Sequence, residues 1–186
     1  INYQSSGPLL ITHWGISGPA VLKCSAFAAR ALHACDYNFT CEVDWLPGVS
    51  LESAISAIKA ITTLHPKKSF HNLQIFDLPS RLWLRICELC EITDRQKAAE
   101  TGKKHFQLLV KQLKQMQLHI VGKTTFKEEF VTAGGIDCNE VNAHTMESKL
   151  IPGLYFAGEV LDIDGVTGGF NFQAAWTTGY LAGMHC

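Results

Sequence analysis

No apolar run in this sequence approaches the roughly 20 residues that a membrane-spanning helix needs. No block of like charge exists either, because 16 basic and 17 acidic residues are scattered along the chain. A nucleic-acid or membrane-surface partner is therefore expected to have no electrostatic footprint here. Internal repeats and low-complexity tracts are absent. An initiator methionine and a signal-peptide pattern are missing too. The chain therefore reads as a processed chain or fragment of a cytoplasmic protein. What is present is a globular composition, with 47% apolar and only 18% charged residues. The 186 residues suffice for one to two domains with a core burying roughly 70% of the unfolded chain's surface. The cysteines number seven and are irregularly spaced. An odd, scattered set reads as reduced thiols.

Residues 8–11 form a short apolar run that predicts a strand. Turn formers follow in Thr12-His13-Trp14-Gly15-Ile16-Ser17-Gly18-Pro19. Pro19 suits the first position of a helix, where its missing N–H costs nothing. That helix, to about Ala34, is apolar nearly all round and is expected to be buried. In residues 37–46, Tyr37, Phe39, Cys41, Val43 and Trp45 alternate with polar neighbours, the period of a half-buried antiparallel strand. Residues 50–117 read as a helical bundle interrupting this β region. Ser50 caps a first helix with a stripe of Leu51, Ala54, Ile55, Ile58 and Ile61. Pro79 opens a second with Trp83, Ile86, Cys87 and Cys90 on one face. Phe106, Leu109, Val110 and Leu113 line a third, with Lys111 and Lys114 outward. Residues 118–121 and 129–133 are expected to return as strands. Beyond Val131 the composition changes: residues 132–186 hold nine of the fifteen glycines and seven of the 33 charged residues. A domain boundary is placed there.

Three segments carry candidate chemistry. Residues 153–159, Gly-Leu-Tyr-Phe-Ala-Gly-Glu, read as a buried strand ending in Gly158 and Glu159. Ligands of open α/β sheets sit at such strand ends, where glycine admits close approach and Glu159 can accept from hydroxyls; the alternative is a turn. Gly168-Gly169-Phe170-Asn171 then opens a helix. The two glycines either leave backbone N–H groups uncovered for an electron-rich ligand or form a plain turn. His13 lies between Thr12 and Trp14 in a glycine-rich loop, as a proton donor beside a ligand or as a loop anchor. Trp14 stacks on a ring system or fills core. Cys87-x-x-Cys90, mid-helix on an apolar face, reads as a pair of buried structural thiols. No Cys/His cluster with metal-ligand spacing is present, so no metal site is assigned.

The stretches 12–19, Val131-Thr132-Ala133-Gly134-Gly135-Ile136, Thr145-Met146-Glu147-Ser148-Lys149 and 153–183 together resemble the BaiN/YhiN-like family of NAD(P)/FAD-dependent oxidoreductases, the aminoacetone-oxidase-type FAD-binding flavoproteins. The resemblance covers most of the chain and is weakest over 50–117. It implies an α+β / α/β fold in which an antiparallel β-barrel-like insert, interrupted by the helical bundle, occupies residues 1–131. Residues 132–186 are then the C-terminal strand–helix of a Rossmann-like FAD-binding domain. It also implies FAD as cofactor, with NAD(P)H as a possible electron partner and a small organic molecule as substrate. Gly158, Glu159 and Asp162 would face the ribitol and pyrophosphate. Thr167, Gly168, Gly169, Phe170 and Asn171 would lie along the flavin pyrimidine edge. Thr12, His13 and Trp14 would look toward the isoalloxazine ring, with His13 as the catalytic candidate, and Gly134 and Gly135 complete the cofactor set.

One feature of these flavoproteins is missing: the Gly-x-Gly-x-x-Gly turn that binds the FAD pyrophosphate, with its acidic ribose partner about 20 residues later. The expectation is therefore an insert plus C-terminal return, whose partner is the N-terminal FAD-binding half of the same protein. A reading from another class is a non-catalytic interaction domain that has lost flavin binding.

Overall fold

The computed structural model describes residues 2–124 and 131–186. Its chain divides into two compact units, one of residues 1–39 with 120–186 and the other of residues 40–119. The architecture is mixed α+β, with five α-helices and two two-stranded sheets among the described residues.

In the first unit, β1 (Leu10–Ile11) and β2 (Ile16–Ser17) pair antiparallel, Ile11 opposite Ile16. The Thr12 N–H donates to the Gly15 carbonyl at 2.8 Å, so the turn-rich motif is a hairpin tip. Gly18 follows with φ 98°; a Cβ there would sit 3.0 Å from the Pro8 carbonyl. This is why glycine stands before α1 (Pro19–Ala34), which begins at the proline as expected. Only Ala28 of α1 is buried, and Phe27 is 58% exposed. The expected burial on all sides is thus corrected, because this unit offers α1 cover on one side only.

The second unit holds the helical bundle. Ser50 caps α2 (Leu51–Leu64), its Oγ accepting the Ser53 N–H at 3.1 Å. Ala54 and Ile58 are fully buried, whereas Leu51, in the first turn, is 46% exposed and leaves the predicted stripe. In α3 (Ser80–Leu89), Trp83, Ile86 and Cys87 face inward, with Cys90 as the C-cap rather than mid-helix. Trp83 stacks on Phe70 with ring centroids 5.7 Å apart. The four apolar residues predicted for α4 (Lys103–Lys114) are all buried. Lys111 points outward as expected. Lys114 does not, because its Nζ donates to Asp44 at 2.6 Å and to the Leu46 carbonyl at 2.8 Å. One continuous core joins the three helices. At about 1.5–3 kcal/mol per large side chain removed from water, that core dominates the bundle's stability.

The period-two segment forms β3 (Asn38–Val43), with exposure alternating residue by residue. It pairs with β4 (Met116–Val121). Side-chain bonds of Thr40 to His119 (2.9 Å) and Gln117 to Glu42 (2.6 Å) run in opposite chain directions, so the pair is antiparallel. Of the expected strand at 129–133, Glu129 and Phe130 lie outside the described residues, and residues 131–133 are not in a strand.

Residues 153–159 correct a second expectation. They are not a buried strand: Tyr155 makes a single antiparallel bridge with Glu147, and Gly158–Val160 is a turn of 3₁₀ helix. A central strand needs ladder partners on both sides, and among the described residues this segment pairs only with the hairpin built by Val141 and Ser148. Beneath α5 (Phe170–His185), Val141, Met146 and Leu161 form a small core with Ile136, Phe156, Leu181 and Ala182.

Candidate functional site

The glycine-rich segments of the first unit meet beside α5. Gly135 has φ 151°, and a Cβ on it would lie 2.5 Å from the Val160 carbonyl oxygen. Only glycine lets this strand end lie so close. It places Ile136 parallel to Leu161, with Ile136 N–H donating to Val160 (2.8 Å) and Asp162 N–H donating to Ile136 (2.9 Å). Gly158, φ 76°, donates its N–H to the Thr178 hydroxyl at 3.0 Å, and that hydroxyl donates to the Ala174 carbonyl at 2.7 Å. The turn bearing Glu159 is thereby pinned to the middle of α5. At the helix end, the Tyr155 hydroxyl donates to the His185 carbonyl at 2.7 Å.

Asn171 holds the following loop from the helix start. Its Oδ1 accepts the Gly165 N–H at 2.7 Å, and its Nδ2 donates to the Gly165 carbonyl at 3.0 Å. The loop 165–169 is thus folded back on the first turn of α5. Gly168 and Gly169 both have positive φ, at 118° and 94°. The helix start has no side-chain cap, and a Cβ on Gly169 would meet nothing within 4 Å. A side chain at Gly169 would thus meet open space, and the first-turn N–H groups carry the positive end of the helix dipole.

Glu159 is exposed, as are Thr167 and Phe170. Asp162 is committed: the Arg30 guanidinium donates from one nitrogen to both its oxygens, at 2.5 and 2.6 Å. The Asp162 carboxylate raises the Arg30 pKa, through the hydrogen bond first and the charge second. Sequence reading passed over Arg30. The available signal was that α1 offers it no acid three or four residues away, so its partner had to come from elsewhere. Thr178, pinning Gly158, was passed over as well, since a threonine in a small-residue helix has no distinguishing spacing.

Thr12 bonds within its own turn, its Oγ1 accepting the Gly15 N–H at 3.1 Å. His13 and Trp14 ride at the hairpin tip as an edge-on ring pair, 4.0 Å between centroids and 75° between planes. Gly134 is open on the side where a Cβ would be, with φ 106°. The structure therefore gathers Gly135, Gly158, Asp162, Gly168, Gly169 and Asn171 around the start and middle of α5, while Thr12, His13 and Trp14 lie at the hairpin tip, His13 and Trp14 exposed and Thr12 half-buried.

Cys87 and Cys90 are fully buried. Burial pushes both thiols up to about 12, with Cys90 and Glu88 adding to the effect on Cys87. Reactive cysteines have lowered pKa values, so this pair is structural. Among the described residues no group of His, Cys, Asp and Glu has the arrangement of a metal site. Among the described residues no helix is long and apolar enough to cross a membrane.

Residues 2–131 match the family of HI0933-like protein barrel and H2TH domains. The chain is 36% identical over 172 residues to the ribosomal RNA dihydrouridine synthase of Escherichia coli strain K12, covering 92% of this chain and 40% of that protein. It is 36% identical over 183 residues to the 3-dehydro-bile acid delta(4,6)-reductase of Clostridium scindens, covering 97% of this chain and 44% of that protein. The ribosomal RNA dihydrouridine synthase of Haemophilus influenzae is 34% identical over 176 residues, 95% and 41% of the two chains. This chain thus spans less than half the length of these curated relatives, all of them named as enzymes. With the family match running through both the hairpin and the helical bundle, the chain belongs to the HI0933-like family.

Proposed function

We propose that this chain is the insert and C-terminal return of a BaiN/YhiN-like FAD-dependent oxidoreductase that reduces a carbon–carbon double bond of an organic substrate. Residues 1–131 are the insert and 132–186 the return into the FAD-binding domain. The observation that carries this reading is the start of α5, whose first-turn N–H donors have no side-chain cap and where Gly169 has open space at its Cβ position. That donor set fits the electron-rich pyrimidine edge of a flavin. When bound, FAD supplies the hydride chemistry, with NAD(P)H as the reductant. The chain's own residues supply positions. Asn171 fixes the loop 165–169, Arg30 pairs with Asp162, and exposed Glu159 would accept from ribitol hydroxyls. His13 is offered as a proton donor from the hairpin tip. The names of the relatives agree with this chemistry, since a delta(4,6)-reductase and a dihydrouridine synthase each add hydrogen across a double bond. The test is the absorbance spectrum of the full-length gene product. Purified protein with flavin bands and near-equimolar FAD is expected; a colourless product that takes up no added FAD refutes the reading.

A second reading concerns the substrate. Two of the relatives are named for ribosomal RNA, and the charge of this chain is not evenly spread. Residues 40–119 hold 11 Lys and Arg against eight Asp and Glu, a formal +3, and the remaining residues hold five against nine, a formal −4. A near-neutral total conceals a basic helical unit. In this reading the reduced double bond belongs to a uracil in RNA.

A further inference from the structure

Exposed lysines recur along neighbouring segments of the helical unit. The chain from Pro66 to Ser69 lies antiparallel to residues 96–99: Ser69 bridges Lys97, Ala98 N–H donates to Lys68 (2.9 Å), and Ala99 N–H donates to Pro66 (3.0 Å). This pairing sets Lys67 and Lys68 beside Lys97. Thr101 and Gly102 then lead directly into Lys103 and Lys104, in the first turn of α4. All five lysines are exposed, as is Lys59 on α2. Between α2 and this strip runs an open groove walled by Lys59, Thr63, Pro66, Ala99 and Thr101. Acids lie here too: Glu100 Oε2 accepts the Lys97 N–H at 2.8 Å, the Asp94 carbonyl accepts the Ser69 hydroxyl at 2.8 Å, and Glu52 stands two turns before Lys59 on α2; the lysines outnumber them.

Two cations in the first turn of α4 oppose its dipole, a placement that by itself disfavours the helix. An anion bound there reverses the sign of that contribution. Lysine suits phosphate as a point charge. Around this strip the exposed large apolar residue is Leu64, at 67%, whereas a membrane-binding face needs an apolar stripe beside its cations. The strip carries no exposed Phe, Tyr or Trp, and its exposed ring is the imidazole of His65, so its lysines fit a phosphate backbone, which positions a nucleic acid without reading its sequence.

We propose that Lys59, Lys67, Lys68, Lys97, Lys103 and Lys104 form a docking face for the phosphate backbone of an RNA. The choice of RNA rests on the second substrate reading above; the face itself rests on the geometry of the helical unit. The experiment is fluorescence anisotropy of a labelled, uridine-containing RNA hairpin with the 186-residue chain, between about 50 and about 200 mM salt. The wild-type chain binds with an affinity that falls with salt. The variant Lys67→Gln/Lys68→Gln/Lys103→Gln/Lys104→Gln, with unchanged circular dichroism, loses at least about tenfold at the lower salt. It also flattens the logarithmic salt slope by about 3, near 0.7 for each phosphate no longer neutralised. A control, Lys23→Gln/Arg81→Gln/Arg85→Gln/Lys111→Gln, removes equal charge elsewhere and keeps the wild-type slope. Equal losses in both variants, or no RNA binding by the wild-type chain, overturn the proposal. So does stronger binding to phosphatidylserine vesicles than to RNA, lost in the same variant. Flavin plays no part in this measurement, so its outcome is separate from that of the FAD spectrum.

Discussion

At the scale of single residues, glycine positions divide into those that pack and those that stay open. Gly135 packs: its missing Cβ is what lets Ile136 pair with Leu161. Gly135→Ala is expected to destabilise the chain by about 1–3 kcal/mol, the usual cost of forcing an extra methyl into a closed space. Gly134→Ala, with positive φ but open space, is expected to cost less than that. Urea denaturation of both variants checks the order; equal midpoints would contradict the packing role. The sequence marked both glycines as part of one motif but could not separate them, because close approach depends on residues 160 and 161, which come 25 positions later. Asp162 illustrates the same limit. Its acidity was legible, whereas its commitment to Arg30 joins residues 132 apart.

At the scale of elements, what the sequence made legible was whatever depends on near neighbours. The start of α1 at Pro19, the Ser50 cap and the buried face of α4 all follow from spacings of one to four residues. Residues 153–159 were misread because a continuous apolar run predicts a buried strand only if ladder partners flank it. The helical unit also allows a pH prediction. Cys87 and Cys90 have folded-state values raised from 9.0 to about 12 by burial. The folded chain therefore keeps protons that the unfolded chain releases, and this contribution is complete below pH 9 and lost as pH rises toward 12. Thermal stability is expected to fall across that window, and Cys87→Ala/Cys90→Ala is expected to show a flatter alkaline limb. Native protein whose buried thiols react with a disulfide reagent as fast as Cys186 would contradict this account.

At the scale of the whole molecule, family and candidate site enter through different parts of the chain. The family match covers residues 2–131, while the proposed flavin-binding residues cluster in 134–171. The composition break near Val131 was visible as a gain of glycine and a loss of charge. The division of charge between the two units was not, because a single total averages over both. The central claim is that the start of α5 holds the flavin, and Gly169→Val in the full-length protein tests it most directly. Valine covers the first-turn N–H groups and is strained at φ 94°. FAD is titrated into deflavinated wild type and variant, followed by flavin fluorescence. Each hydrogen bond removed from an electron-rich flavin atom is worth about 1.5–3 kcal/mol, so affinity should fall roughly 10- to 150-fold with the circular dichroism unchanged. Wild-type affinity in a folded Gly169→Val protein would contradict the account and leave the glycine pair as a turn.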